Sequence, residues 1–189
     1  MSIVAYNPSP AVTRKKMKGS LKLLLTLTIL LAGLGLALLL AFITTSYTFL
    51  VEGDSMLPTF KAGDKVLVNR LLISIQKPQR GDIVIFQPPT EPRDFIKRVI
   101  AVEGETVEVK ADSDPVGLPS GGNCGDCGVY VNGVRLDEPY IKQRPDYSVE
   151  SITIPPGHIF VLGDNRRNSS DSHLWGPLDL RSVTAKALR

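Results

Sequence analysis

Ser55 is the first residue of this sequence whose type and setting suit a chemical role. It lies in residues 52–59 (EGDSMLPT), a segment punctuated by glycine and proline. A tight turn of this kind exposes the hydroxyl and leaves the backbone N–H free, as an acyl-transfer nucleophile and its oxyanion donor require. An ordinary turn, in which Asp54 and Ser55 bond to nearby backbone, has the same pattern. The serine alone therefore does not decide between the two.

Lys97 is a candidate base for that serine. It lies in residues 95–102 (FIKRVIAV), a run typical of a strand. With a side-chain period of two, the strand places this lysine on one face with three apolar residues, Phe95, Val99 and Ala101. Burial disfavours the ammonium form, and lowering its pKa from about 10.4 to about 7 requires roughly 4.6 kcal/mol. An edge-strand lysine that reaches water has the same local pattern, so both interpretations stay open.

The two histidines offer an alternative base. His158 follows a Pro-Pro-Gly turn, whereas His173 lies near Asp171 in residues 163–176 (GDNRRNSSDSHLWG). That proximity keeps a Ser-His-Asp triad open. The same loop is dense in small hydroxyl and amide side chains, which either orient a neighbouring lysine or satisfy the loop's own backbone.

The elements that must position these residues begin with a hydrophobic segment. Residues 1–22 hold five cations and no acid, and residues 23–43 are 21 consecutive uncharged residues. About 20 apolar residues cross a bilayer as a helix, and the positive-inside rule keeps the basic side in the cytoplasm. We therefore expect a basic cytoplasmic tail over 1–22, a transmembrane signal-anchor helix over 23–43 and an extracytoplasmic domain over 44–189. Tyr47 and Phe49 are expected at the membrane interface.

A cleaved signal peptide and a buried core helix are the alternatives for this segment. Its apolar run is longer than the 7–15 residues usual for a secretory signal, and no Ala-x-Ala cleavage site follows it. The rest of the chain carries 17 cations and 19 acidic residues. Nucleic-acid binding is therefore not expected.

Beyond residue 50 the sequence is typical of β structure. Asn132-Gly133, between two alternating runs, predicts a hairpin with a type I′ turn. We expect a mainly β fold, with a single N-terminal transmembrane helix followed by a mostly antiparallel sheet or barrel-like domain. The predicted strands are residues 65–69, 82–86, 95–102, 106–110, 129–131, 134–136, 151–154 and 159–162.

Five blocks in order resemble the type I signal peptidases, the membrane-bound Ser/Lys proteases of peptidase family S26 that remove signal peptides. The resemblance covers nearly the whole chain from the hydrophobic segment to Trp175. The blocks are residues 53–59, 63–68, 81–84, 96–99 with 104–105, and 163–176.

The resemblance implies a role for each matching residue. Ser55 is the nucleophile and Lys97 the general base. Ser169 matches the residue that orients the lysine amine. Asp171 matches a residue that supports the site from outside the reacting pair.

The other matching positions are structural. Arg98 lies where the family keeps an arginine beside the lysine, and Asp164 and Asn165 match its Gly-Asp-Asn turn. The oxyanion donor is the backbone N–H of Ser55. Where some members have a serine hydroxyl this chain has Gly53, and where some have an arginine it has His173.

The implied activity is that of a serine endopeptidase that cuts exported preproteins after a small residue. Its partners are signal peptides, bound as an added strand, and the lipid bilayer; no cofactor, metal or nucleic acid is expected. Either a bacterial plasma membrane or a thylakoid membrane fits.

Two rival functions remain open. One is a membrane-anchored, non-catalytic β-domain that binds peptides by strand addition. The other is a self-cleaving repressor of the LexA type, which would need a DNA-binding head in place of the hydrophobic segment.

Cys124 and Cys127 are the only cysteines and lie two residues apart in a glycine-rich loop. On the oxidising side of a membrane we expect a local disulfide. A redox-active pair or a metal site with other partners is the alternative.

Overall fold

The computed structural model describes residues 14–112 and 125–188, with side chains from Leu21 onward. Helix α1 (Arg14–Thr45) includes one stretch, Leu21–Thr45, that is long and apolar enough to cross a membrane, with a mean hydropathy of 2.6. It covers the predicted span and extends beyond both ends of it. Its leucines are exposed, unlike those of a helix buried in a soluble core.

The chain divides into two compact units after Ile43, and the second unit is mainly β, as predicted. Two short helices interrupt the strands, α2 (Leu71–Ile75) and α3 (Ser172–Trp175). The strands are β1 (Ser46–Leu50), β2 (Lys65–Asn69), β3 (Ile83–Phe86), β4 (Phe95–Val102), β5 (Thr106–Lys110), β6 (Gly128–Val131), β7 (Val134–Arg135), β8 (Val149–Thr153), β9 (His158–Leu162), β10 (Leu178–Asp179) and β11 (Val183–Ala187).

The strands form two sheets in which every recorded pairing is antiparallel. The larger sheet has the order β1-β2-β11-β3-β4-β9-β10, and the smaller has the order β7-β6-β5-β8. Strands β4 and β9 are neighbours in the larger sheet although β5 to β8 lie between them in sequence. The smaller sheet is therefore an excursion of the chain between two paired strands.

The predicted hairpin is confirmed. Asn132 has φ 53° and Gly133 has φ 74°, and Val131 pairs with Val134 across them. Two consecutive residues with positive φ are what a type I′ turn requires, and this turn matches the twist of the flanking strands.

Strand β4 follows the predicted alternation only as far as Val99. Phe95 and Val99 pack in one core cluster and Ile96 in another, as a period of two requires. The pairing of β4 with β9 shifts register between Val99 and Ala101. Ile100 and Ala101 consequently pack in the same cluster, and the prediction that Ala101 shares a face with Lys97 is wrong because of this bulge.

The sequence interpretation missed β1, β10 and β11. Tyr47 and Phe49, expected as interfacial aromatics, belong to β1 and pack against the core cluster that includes Val66 and Val68. Strand β11 (VTAKA) begins with two residues that favour strands, but the Ala-Lys-Ala that follows does not, so its β propensity is weak. Its place between β2 and β3 comes from tertiary packing.

Phe160 provides a test of this core. Its side chain is fully buried under the smaller sheet, beside Ile100 and Val107. Replacement by alanine leaves a cavity and should reduce the free energy of unfolding by about 3–5 kcal/mol. Val134→Ala, at a side chain that is 68% exposed, is the control and should change it by less than about 0.5 kcal/mol. Denaturant unfolding in detergent measures both, and equal stabilities would contradict this packing.

Candidate active site

Ser55 and Lys97 lie within hydrogen-bond distance of each other. Lys97 Nζ donates a hydrogen bond of 2.7 Å to Ser55 Oγ and one of 3.1 Å to the carbonyl oxygen of Ile96. The serine comes from the turn after β1 and the lysine from β4, 42 residues further on. Lys97 is only 3% exposed. A neutral amine at this distance can accept the serine proton.

Burial makes the ammonium group of Lys97 more acidic than that of a lysine in water. Desolvation lowers the pKa of Lys97 to about 8, the nearby carboxylates of Asp171 and Asp164 oppose that change, and the Arg93 guanidinium adds to it. The Phe95 ring lies 5.0 Å from the amine, within cation–π range, and also favours the ammonium form. Because the pKa is lowered to about 8, a substantial fraction of the amine is neutral at mildly alkaline pH.

The turn that bears Ser55 is attached to the turn that follows β9. The backbone N–H of Asn165 donates to the Ser55 carbonyl oxygen at 3.0 Å, and its side-chain amide donates to the Asp54 carbonyl at 3.0 Å. Gly53 has φ 83°, a conformation that a side chain would strain. A serine in its place would therefore be disfavoured, which accounts for the glycine at this position.

Gly163 is where the two turns approach most closely. A Cβ at this residue would lie 2.5 Å from the Ser55 carbonyl oxygen and 2.2 Å from the Ser169 hydroxyl. Both distances are far below van der Waals contact. Only glycine fits here without displacing the serine turn.

Ser169 Oγ is buried and has no hydrogen-bond partner among the described residues. The predicted hydrogen bond from this hydroxyl to Lys97 is not among those formed. Its role in orienting the amine therefore stays a prediction. The hydroxyl lies beside Gly163 and is available to a partner that moves into reach.

Asp171 lies next to Gly163 and is completely buried. One carboxylate oxygen accepts from the Gly163 N–H at 2.9 Å, and the other is 2.7 Å from His173 Nδ1. The His173 ring stacks on Tyr147 with 3.8 Å between ring centres. His173 therefore pairs with Asp171, while the recorded partner of the Ser55 hydroxyl is Lys97. This arrangement is not a Ser-His-Asp triad.

Arg98, next to the lysine, makes a buried ion pair with Asp164. Its Nε and Nη2 atoms donate to the two carboxylate oxygens at 2.8 and 2.6 Å, and the side chains are 4% and 0% exposed. Thr59, at the end of the serine segment, donates to the same carboxylate. This pair joins β4, the turn after β9 and the serine segment.

A second buried ion pair, between Glu138 and Arg166, was not found by sequence analysis. Their four polar atoms form two hydrogen bonds, of 2.9 and 2.6 Å. Arg166 stands in the polar loop already singled out, but Glu138 follows the hairpin in a segment without strand periodicity. Nothing in the local pattern shows that the two meet.

An open cleft of about 620 Å³ runs past Ser55 and Lys97. In residues 14–112 and 125–188, no three His, Cys, Asp or Glu side chains are grouped closely enough to hold a metal ion. The cleft is lined by Phe49, Leu50, Glu52, Gly53, Asp54, Ser55, Arg93, Asp94, Phe95, Ile96, Lys97, Asn168 and Ser170.

The predicted disulfide involves Cys124, which lies outside the described residues. Cys127 is buried, and its sulfur accepts a hydrogen bond of 3.1 Å from Arg144 Nη1. The pairing of the two cysteines stays a prediction.

The sequence of residues 21–189 matches the family described as signal peptidase, peptidase S26. The chain belongs to this family. The recognition made from the five blocks is therefore confirmed, as is the enzyme class. The chain is a serine endopeptidase that removes signal peptides, and the non-catalytic and repressor alternatives are set aside.

Relatives come from bacteria and chloroplasts. The chain is 39% identical over 168 residues to a probable signal peptidase I-1 of Synechocystis sp., covering 85% of this chain and 78% of that protein. It is 36% identical to signal peptidase I of Leptolyngbya laminosa, over 73% of this chain and 64% of the relative. It is 32% identical to the chloroplastic thylakoidal processing peptidase 1 of Arabidopsis thaliana, over 73% and 39%. The match thus spans less than two thirds of the last two proteins.

Because Gly163 lies so close to the serine turn, a single methyl group added at this residue should strongly reduce activity. In Gly163→Ala the added carbon collides with Ser55 backbone and Ser169, so preprotein cleavage should fall by on the order of 10²-fold while the fold is kept. Gly125→Ala is the control because no atom of the described residues lies within 4 Å of a Cβ at that position. Single-turnover cleavage and circular dichroism of both variants provide the measurement. A folded Gly163→Ala protein that cleaves at the wild-type rate would contradict the packing of the two turns.

Proposed function

We propose that Ser55 and Lys97 form the catalytic dyad with which this signal peptidase cuts exported preproteins after a small residue. The observation that carries the proposal is the 2.7 Å hydrogen bond between the Ser55 hydroxyl and the amine of Lys97, a residue that is only 3% exposed. A serine hydroxyl is a weak nucleophile unless a base takes its proton, and a desolvated amine is such a base.

The proposed reaction has two stages. Lys97 takes the proton of Ser55 Oγ as the oxygen attacks the scissile carbonyl carbon, and then passes it to the nitrogen of the departing mature protein. The signal peptide remains as an ester on Ser55. Lys97 next takes a proton from the water molecule that attacks the ester. It returns this proton to Ser55 Oγ as the ester bond breaks, so the signal peptide leaves with a free carboxylate and the dyad is restored. The Ser55 backbone N–H stabilises the oxyanion, and Gly53 adds no hydroxyl to it.

Five neighbours are assigned supporting roles. Ser169 orients the amine with its unpaired hydroxyl, and Asp171 favours the ammonium form that appears during the reaction. Arg98 and Asp164 hold β4 against the turn after β9. Asn165 fixes the serine carbonyl, as its 3.0 Å hydrogen bond supports.

The proposed substrate is an extended signal peptide that lies along the cleft as an added strand. Strand addition uses backbone hydrogen bonds for affinity and shallow pockets for alternate side chains. The apolar Phe49, Phe95 and Ile96 side chains at the cleft suit small aliphatic residues, while Ser55 lies at the cleavage point.

For the whole protein we infer that residues 1–22 are cytoplasmic, residues 23–43 span the membrane and residues 44–189 lie outside as the catalytic domain. The charge asymmetry of the first 43 residues supports this orientation. The relatives from bacteria and from chloroplasts support a bacterial plasma membrane or a thylakoid membrane.

The dyad predicts a rise of activity with pH. Because only neutral Lys97 can act as the base and its pKa is lowered to about 8, single-turnover cleavage should fall about tenfold per pH unit below that value and level off above it. Lys97→Arg should be as inactive as Lys97→Ala, since a guanidinium stays protonated. The measurement is cleavage of a preprotein across pH, with sequencing of the new N-terminus.

Ser55→Ala and His173→Ala serve as controls in the same assay. The first should lose activity by on the order of 10³-fold or more. The second should retain most activity, because His173 pairs with Asp171 and is not in the proton path. An active Lys97→Arg protein, or an inactive but folded His173→Ala protein, would overturn the dyad.

The orientation predicts which part of the chain a protease reaches. Protease added to intact cells or right-side-out vesicles should digest the β unit and leave residues 1–22 protected, because the basic side is retained in the cytoplasm. Vesicles of the opposite orientation are the control. Protection of the β unit together with digestion of the tail would refute the assignment.

A further inference from the structure

The Glu138–Arg166 pair is more deeply buried than a stability role requires. The side chains are 5% and 0% exposed, and the guanidinium binds both carboxylate oxygens. Replacement of such a pair by apolar residues of similar volume is often neutral or stabilising. A bidentate guanidinium–carboxylate contact, in contrast, fixes direction as well as distance.

The third guanidinium nitrogen, Nε, binds the active-site turn. Arg166 Nε donates a hydrogen bond of 3.0 Å to the carbonyl oxygen of Gly163. Gly163 is the residue that leaves no room for a Cβ against the Ser55 carbonyl, and its own N–H donates to Asp171. Arg166 and Asp171 thus hold the Gly163 backbone through its carbonyl and its N–H.

Tyr140 connects Glu138 to Arg98, the other arginine that binds this turn. Its hydroxyl donates to Glu138 at 2.9 Å, and its ring lies 3.9 Å from the guanidinium carbon of Arg98. Arg98 in turn makes the bidentate pair with Asp164. Glu138 and Tyr140 come from the segment after β7, so part of the excursion between β4 and β9 contacts both arginines that hold the turn.

We propose that Glu138, Tyr140 and Arg166 form a positioning clamp that sets the Gly163–Asn165 turn, and through it the Ser55 hydroxyl, at the distance that Lys97 requires. The clamp rests on the proposed dyad. None of its side chains is recorded in contact with Ser55 Oγ or Lys97 Nζ, so these are positioning residues. Asn165 transmits the position, because its N–H holds the Ser55 carbonyl.

Arg166→Lys separates positioning from charge. A lysine keeps a cation beside Glu138 but cannot bind both carboxylate oxygens and the Gly163 carbonyl at once. In preprotein cleavage, kcat should fall about tenfold or more while KM changes less than about twofold, because misplacement of the reacting groups affects the chemical step. Arg167→Lys is the matched control, since Arg167 Nε bonds to the Arg144 carbonyl, and it should keep the wild-type kcat.

If Arg166→Lys does not fold, a double variant tests the same proposal. In Glu138→Leu/Arg166→Met the buried charges are replaced together, so the fold should be kept. The donor to Gly163 is lost, and kcat should fall as in Arg166→Lys. Folding of each variant is measured by circular dichroism and thermal unfolding.

Three outcomes are distinguishable in this experiment. A folded variant with lowered kcat and unchanged KM supports the clamp. A folded Arg166→Lys or double variant with wild-type kcat overturns it, whatever its thermal stability. Failure of the dyad itself would appear differently, as a Ser55→Ala or Lys97→Arg protein that still cleaves.

Discussion

The active site depends on one contact, that between the buried Lys97 side chain and the partly buried Ser55 hydroxyl. A lysine taken out of water tends to lose its proton, and the cost of keeping it charged appears as the lowered pKa of Lys97. Two nearby carboxylates act against this loss of the proton. Asp171 and Asp164 are close enough to favour the ammonium form, while each is itself bound to a donor, His173 for the first and Arg98 for the second. The amine therefore loses its proton at a lower pH than a lysine in water does.

The sheet topology brings together residues that are distant in sequence. The serine follows β1 at one edge of the larger sheet, the lysine lies on the inner strand β4, and the supporting turn follows β9, the neighbour of β4. Each comes from a different part of the chain, so no local segment could form the arrangement alone. Two buried ion pairs and a close glycine contact fix the turns to each other.

The sequence was most informative where chemistry and periodicity agreed. Strands β2, β4 and β5 were predicted with their observed bounds, and Ser55 and Lys97 were singled out together. The bulge after Val99 could not be predicted, because it depends on the partner strand and not on the strand's own pattern. Strand β11 and the Glu138–Arg166 pair were missed for the same reason. Both are specified by contacts across tens of residues, which leave no signature in a short window.

Because the smaller sheet lies between two paired strands in sequence, the chain can change in length there without disturbing the larger sheet. Strands β4 and β9 remain hydrogen-bonded neighbours whatever the chain does between them. Insertions at the Asn132-Gly133 hairpin tip would lengthen the excursion without shifting the register of either strand. Insertions between Glu138 and Tyr140 would separate the two side chains that contact the arginines. This excursion is therefore a natural place for related proteins to diverge, and for an engineer to graft a sequence, provided the short segment after β7 is left unchanged.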